Sequence, residues 1–338
     1  MNLYSHPLAP QFESQAHLLI QIEDFVISAI KGGALMSNHY RPASAVLEMD
    51  EADRFERMIR RFLMVYQPEY RYSEHIAAFW NACVALGLLD PDCDGLSMPE
   101  LYFPRWQGMD SVRHLVALLQ AEARSEAFRR AGHDRTYALR QRTLVIEDYA
   151  RSLIARHCKL LVVRVDLGYL AQAQHQVTID DVYAHLGVLN RQRYLDPVFE
   201  HLVGAIWCLE QGRTRGYHLH LTYFFNGSLL QNGWHKGQAI GALWQQITGG
   251  IGWVHNCHGD EFKYPRRGIG KIHRSVPEEC ENLLNALTYF GEFDKEPQYL
   301  RMRPEGRRVY RTGLVPGLDC GREPRFLGGF GDDEHACA

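Results

Sequence analysis

Leu202–Phe225 reads LVGAIWCLE QGRTRG YHLHLTYFF. Two apolar runs, Leu202 to Glu210 and Tyr217 to Phe225, flank a turn-forming stretch with two glycines and two arginines. Aliphatic and aromatic runs of this length separated by such a turn predict two strands of an antiparallel hairpin. Alternate side chains on a strand face the same way. His218 and His220 therefore share one face, and Leu219 and Leu221 share the other. The hairpin folds Glu210, at the end of the first strand, back beside the histidines.

The neighbouring stretches fit around this pair. Upstream, Lys159 to Val165 (KLLVVRV) reads as a buried strand, and Thr178 to Leu186 as a helix. Downstream, Gly233 to Ile247 places Ile240, Leu243, Trp244 and Ile247 on one helical face. Pro277 to Phe290 reads as a further helix, with Ser275 and Glu278 at capping-box spacing and Pro277 in the first turn. The order strand, helix, strand, hairpin strand, helix, helix predicts an α+β fold with a split βαβ plan and an antiparallel sheet.

The first 150 residues read as helices. Apolar residues recur at three- and four-residue spacings over 17–30, 53–66, 73–86 and 111–130. The expected organisation is a mostly helical accessory region over 1–150, a sheet-bearing domain over 155–312, and a flexible tail over 313–338. A chain of 338 residues that is 46% hydrophobic and 23% charged is neither wholly disordered nor collagen-like. The start MNLYSHPLAPQFESQ lacks the pattern of a secretory signal, and no run approaches the ~20 apolar residues of a membrane span. The eight cysteines form no C-x-x-C pair, and a chain of this size builds a core without disulfides. A reduced, cytoplasmic protein is expected.

Two imidazoles and a carboxylate on one sheet face offer a mixed nitrogen and oxygen ligand set. Such a set leaves positions for water and a substrate oxygen, and suits Mn²⁺ or Mg²⁺ better than a closed structural zinc site. The alternative is the ordinary polar face of an amphipathic strand. His255-Asn-Cys257-His258 supplies three possible zinc ligands without an evident fourth, so zinc is not expected there. Tyr289, near the end of the last helix, is a phenol that would attack phosphorus only when activated beside a metal. Lys295 could neutralise that phosphate or assist the tyrosine.

The strand KLLVVRV, the Glu210…His218-Leu-His220 block and the downstream helix with its tyrosine resemble the three motifs of the HUH endonuclease superfamily. YHLHLTYFF, GIGKI at Gly268 to Ile272, and TYFGEFDKEPQYLR are similar to the filamentous-phage gene-two-type replication proteins, including the prophage YagK/YfjJ C-terminal domain family. The resemblance covers about residues 155 to 312. It implies nicking of one DNA strand at an origin, with a 5′-phosphotyrosine intermediate on Tyr289 and a divalent ion held by Glu210, His218 and His220. Lys295 follows the tyrosine by six positions, where relatives place a lysine about three or four on. Tyr299 is the fallback nucleophile.

Residues 211–274 carry Arg213, Arg215, Lys236, Lys263, Arg266, Arg267, Lys271 and Arg274 against Asp260 and Glu261 alone, in a chain of net charge −3. Arg213, Arg215, Lys263, Arg266, Arg267 and Lys271 are candidate contacts to a phosphate backbone. An ordinary solvated surface is the alternative for them. Tyr217, Trp234, Trp253 and Tyr264 are interleaved, and some could stack on unpaired bases. Trp234 and Trp253 are nevertheless expected in the core. The partner expected is single-stranded or locally melted origin DNA. With no G-x-x-x-x-G-K-[ST] loop in the chain, a host helicase and polymerase would complete replication. The competing readings are a DNA-binding regulator with weak or lost catalysis and an unrelated metal-dependent phosphodiesterase.

Overall fold

The computed structural model describes residues 14–32, 51–88, 107–259, 268–288 and 298–313. Its helices are α1 (Gln15–Lys31), α2 (Glu51–Val65), α3 (Glu74–Ala85), α4 (Met109–Glu122), α5 (Glu126–Arg156), α6 (Ile179–Gln192), α7 (Gly233–Ile247) and α8 (Pro277–Thr288). Its strands are β1 (Tyr70–Tyr72), β2 (Lys159–Tyr169), β3 (Leu202–Gly212), β4 (Gly216–Asn226), β5 (Gly252–Asn256), β6 (Gly270–His273), β7 (Met302–Pro304) and β8 (Tyr310–Thr312).

The main sheet runs β5-β2-β4-β3-β8, with β6 also on β2, and every pairing in it is antiparallel. β2 and β3, joined through α6, are both antiparallel to β4, which lies between them. This is the split βαβ plan of an α+β fold. The β3–β4 hairpin closes with Gly212 opposite Gly216 across Arg213, Thr214 and Arg215. Gly216 takes a φ of 59°, a left-handed value that a Cβ would disfavour.

Period-two alternation divides the side chains of the sheet between two helical layers. Leu161, Val163, Val165 and Leu167 of β2 face one side with Trp207, Leu209, Leu219, Leu221 and Tyr223. There they join residues of α1 to α4, α6 and α7 in one hydrophobic cluster. Leu160 and Val162 face the other side with Ile206, Cys208 and Phe224, under α5 and α8. Each such large apolar side chain removed from water contributes about 1.5–3 kcal/mol. The helices of the first 150 residues thus share their core with the sheet. The boundary expected at 150–155 falls in the last turns of α5, whose Ile146, Tyr149, Ala150 and Leu153 pack against the second face.

Several expectations need correction. The single helix expected over 111–130 is two helices, because Ser125 caps a new one by accepting from the Phe128 amide. Since α8 starts at Pro277, Val276 rather than Ser275 occupies the cap position. Glu279, not Glu278, folds back to accept from the His273 amide at 2.6 Å. Trp234 is 44% exposed, and Trp253 is only partly buried and lies outside both clusters. Among the described residues no helix is long and apolar enough to cross a membrane.

Candidate metal centre

The centre is built where the second face of the sheet runs past the apolar cluster. Cross-strand register sets Glu210 opposite His218, Cys208 opposite His220, and His220 opposite Asp166. Directly paired residues project to the same side, so three strands deliver these groups to one place. One ligand atom from each of Glu210, His218 and His220 lies within 4.8 Å of the others. Among the described residues this is the group of three His, Cys, Asp or Glu side chains so placed. Glu210 Oε2 is 3.3 Å from His220 Nε2 and 3.9 Å from His218 Nε2. Both histidines are buried, whereas the Glu210 side chain keeps 13% of its exposure and forms the wetter side.

Hydrogen bonds fix which nitrogen each imidazole turns to Glu210. His220 Nδ1 donates to Asp166 Oδ1 at 2.6 Å, and His218 Nδ1 donates to the Gly216 carbonyl at 3.1 Å. With each Nδ1 engaged, it is Nε2 of each ring that faces Glu210, and Nε2 of His220 would give up its proton when a metal binds. Metal-binding histidines are characteristically held in this way by a carboxylate or a backbone carbonyl. The donor set and the partners of each Nδ1 therefore fit a divalent metal ion.

The charges are balanced in the same sense. Burial opposes ionisation of Glu210, but the hydrogen bond and charge of His220, with His218 and Arg142 behind them, hold its carboxyl below the usual range. Burial opposes a charge on His220 as well, yet Asp166 and Glu210 on either side push its pKa up to about 9. Burial and the neighbouring His220 lower His218. Asp166 is depressed despite its burial, chiefly by His220 and then by Arg164 and Arg215. Arg142 of α5 stands 3.7 Å from Glu210 Oε1.

Asp166, Arg142 and Gln298 are the contributors that sequence reasoning missed. Gln298 Oε1 lies 3.1 Å from His218 Nε2, and the Gln298 carbonyl accepts from the Gln211 amide at 2.8 Å. Asp166 left a trace in the sequence, as an acid one residue beyond the KLLVVRV run and in phase with Arg164. Arg142 belongs to a run of arginines between 113 and 156 that reads evenly as duplex-DNA contacts or solvated helix faces, and it is instead buried beside Glu210, while nothing local marks Gln298.

The other expected site residues fall into two groups. Tyr289, Lys295, Lys263, Arg266, Arg267 and Tyr264 lie outside the described residues. Tyr299 is described, and its hydroxyl donates to Glu23 of α1, with Arg301 and Arg135 against its ring. Burial and the Glu23 charge raise its pKa, a poor state for a nucleophile. Arg213 is forked onto Asp24 of α1, with Nη2 to Oδ1 at 2.5 Å, so much of its charge is answered within the chain. Arg215 reaches Asp166 at 3.4 Å, and Lys271 reaches Gln231 at 3.4 Å. Tyr217 is a core residue that donates to Gln15 Oε1.

No protein-family model, curated protein or solved structure matches the chain.

Proposed function

We propose that the chain is a divalent-metal-dependent enzyme that nicks single-stranded DNA and rejoins it through a tyrosine adduct, in the manner of the HUH endonucleases it resembles. The observation that carries this reading is the convergence of His218 Nε2, His220 Nε2 and Glu210 Oε2 on one sheet face, with each Nδ1 engaged elsewhere. Mn²⁺ or Mg²⁺ bound there would polarise the scissile phosphate and ease departure of the leaving oxygen. Asp166 would keep His220 oriented through the reaction, and Glu210 would anchor the open side of the site.

The supply of the nucleophile is consistent with the position of α8. Arg164 Nη1 donates to the Ala286 carbonyl in the last turn of α8 at 3.4 Å, and its Nε lies 3.8 Å from Asp166 Oδ1. The end of the helix that precedes Tyr289 is thus tied to the carboxylate that holds His220. In the step proposed, the Tyr289 oxygen bonds to phosphorus as the bond to the 3′ oxygen breaks. The phenolic proton leaves to a base, and the 3′ oxygen takes up a proton to become a hydroxyl. The adduct retains the energy of the broken ester, so rejoining needs no ATP. Rolling-circle initiation on a phage or prophage-like element is the setting this chemistry would serve, with host helicase and polymerase as partners.

Incubation with labelled single-stranded origin DNA and Mn²⁺, followed by denaturing electrophoresis, tests the reading. The wild type should form a covalent adduct, and Tyr289→Phe should form none while folding normally. An adduct that persists in Tyr289→Phe, or that maps to Tyr299, would remove Tyr289 from its role. Absence of an adduct in the wild type, across several ions and matched origin DNA, would favour a binding-only protein.

A further inference from the structure

β5 is the edge strand beyond β2, and its two faces serve different ends. Val254 turns towards α7, so close that a Cβ on Gly241 would meet its Cγ1 at 2.7 Å. Trp253 and His255 turn the other way. Trp253 is paired with Gly168, and His255 with Asp166, which is itself paired with His220. The two rings therefore stand on the side of the sheet that bears the candidate metal centre. They are two strand spacings, about 10 Å, from the histidine strand.

Gly168 connects the two places. A Cβ there would lie 3.4 Å from the His218 Cβ and 3.5 Å from Trp253 Cε3, so the imidazole and the indole flank the same bare stretch of backbone. The Trp253 and His255 rings are nearly parallel, with 7° between their planes and 6.1 Å between centroids. The Arg215 guanidinium stands 5.4 Å from the centre of the Trp253 ring while also reaching Asp166. Neither aromatic residue belongs to a hydrophobic cluster of the fold. A partly exposed indole, a parallel imidazole and a guanidinium beside a phosphate-handling centre are the components of a stacking platform for unpaired bases.

We infer that Trp253, continued by His255, is a base shelf: a nucleobase of single-stranded DNA next to the phosphate at the metal centre stacks on the indole. Arg215 then stands between base and backbone, where its charge serves both. The inference rests on the metal centre being a phosphodiester site. It adds where the strand lies, across β2 towards β5. Stacking is indifferent to base identity because every base has a π-face, so the shelf positions the strand without reading it.

Fluorescence anisotropy with a labelled thymidine decamer and a decamer of abasic residues, both with Mn²⁺, separates stacking from backbone binding. Trp253→Ala should weaken the thymidine decamer by about 5- to 100-fold and the abasic decamer by less than about 2-fold. Trp253→Phe, which keeps a smaller ring, should fall between wild type and alanine on the thymidine decamer. Equal losses on both decamers would overturn the shelf and leave Trp253 a structural residue. Unchanged binding in Trp253→Ala, with wild-type Mn²⁺ affinity and adduct formation intact, would overturn the shelf alone. Failure of the wild type to bind the thymidine decamer would overturn the shelf, whereas binding with no adduct on origin DNA would remove only the catalytic reading beneath it and leave the shelf to the Trp253→Ala comparison.

Discussion

His220 and Asp166 face each other in direct register on β4 and β2, joined by a 2.6 Å hydrogen bond from Nδ1 to Oδ1. The bond fixes the tautomer that turns Nε2 towards Glu210. Asp166→Asn keeps the shape but removes the charge that holds the imidazole. Mn²⁺ affinity should fall about 10- to 100-fold in that variant, as measured by calorimetry. Joint replacement of His218 and His220 by alanine should abolish binding. Wild-type affinity in either protein would disqualify the centre.

Metal binding should release close to one proton at pH 7. His220 has its pKa pushed up to about 9, whereas that of His218 is lowered, so one imidazole and not both must shed a proton to present two free Nε2 atoms. Apparent affinity should therefore climb by up to about tenfold per pH unit below pH 9 and level off above it. Calorimetry in buffers of different ionisation enthalpy counts the proton directly. Release of two protons, or of none, would contradict the assigned charge states.

A second buried cluster should govern acid stability. Arg301 Nε donates to Glu23 Oε2 at 2.6 Å, and Tyr299 and His75 meet the other oxygen. Burial opposes the charge on Glu23, but His75, Arg301 and Tyr299 hold its pKa down to about 2, against an ordinary 4.5. A depressed carboxyl stabilises the fold fully above its unfolded value. That contribution should disappear as pH falls from about 4.5 to 2. Glu23→Gln should cost about 3–5 kcal/mol at neutral pH, because it strands the Arg301 charge, and should flatten the loss over that acid window. Urea melts of both proteins at several pH values provide the check.

The layer formed by α5 can be tested at one glycine. A Cβ on Gly204 would lie 2.6 Å from Leu153 Cδ1 and 2.7 Å from the Tyr149 hydroxyl oxygen. That hydroxyl also accepts from the Ala205 amide at 3.2 Å. Gly204→Ala should destabilise by about 1–3 kcal/mol through overpacking. Tyr149→Phe with Gly204→Ala should not restore stability, since Leu153 still blocks the site. Thermal unfolding followed by circular dichroism measures both.

Periodicity reaches as far as local pattern extends. The 3.6-residue repeat marked α1, α2, α3 and α7, and the alternation in YHLHLTYFF marked β4, because long amphipathic elements repeat their pattern several times over. β1, β7 and β8 have three residues each, too short for any period to show, and they exist through partners far along the chain. β5 escaped for a related reason: it has five residues, and only the register with β2 assigns Trp253, expected in the core, and His255 to the metal-centre side. The ligand set was legible because a hairpin brings Glu210 and the histidines together over few residues. Gln298 was not, since its approach to His218 depends on a contact 80 residues long in sequence.

The segment that carries Gln298 is fastened at both ends by parts of the chain made long before it. Arg301 is held by Glu23 of α1, and β7 pairs with β1, so Tyr70 waits for Pro304. On a ribosome the hairpin with its histidines emerges while residues 298–304 are still missing. The centre gains its last neighbour only when residues 298–304 leave the exit tunnel and close back onto the first helices. A nascent chain can thus hold the histidine hairpin before Gln298 arrives beside it.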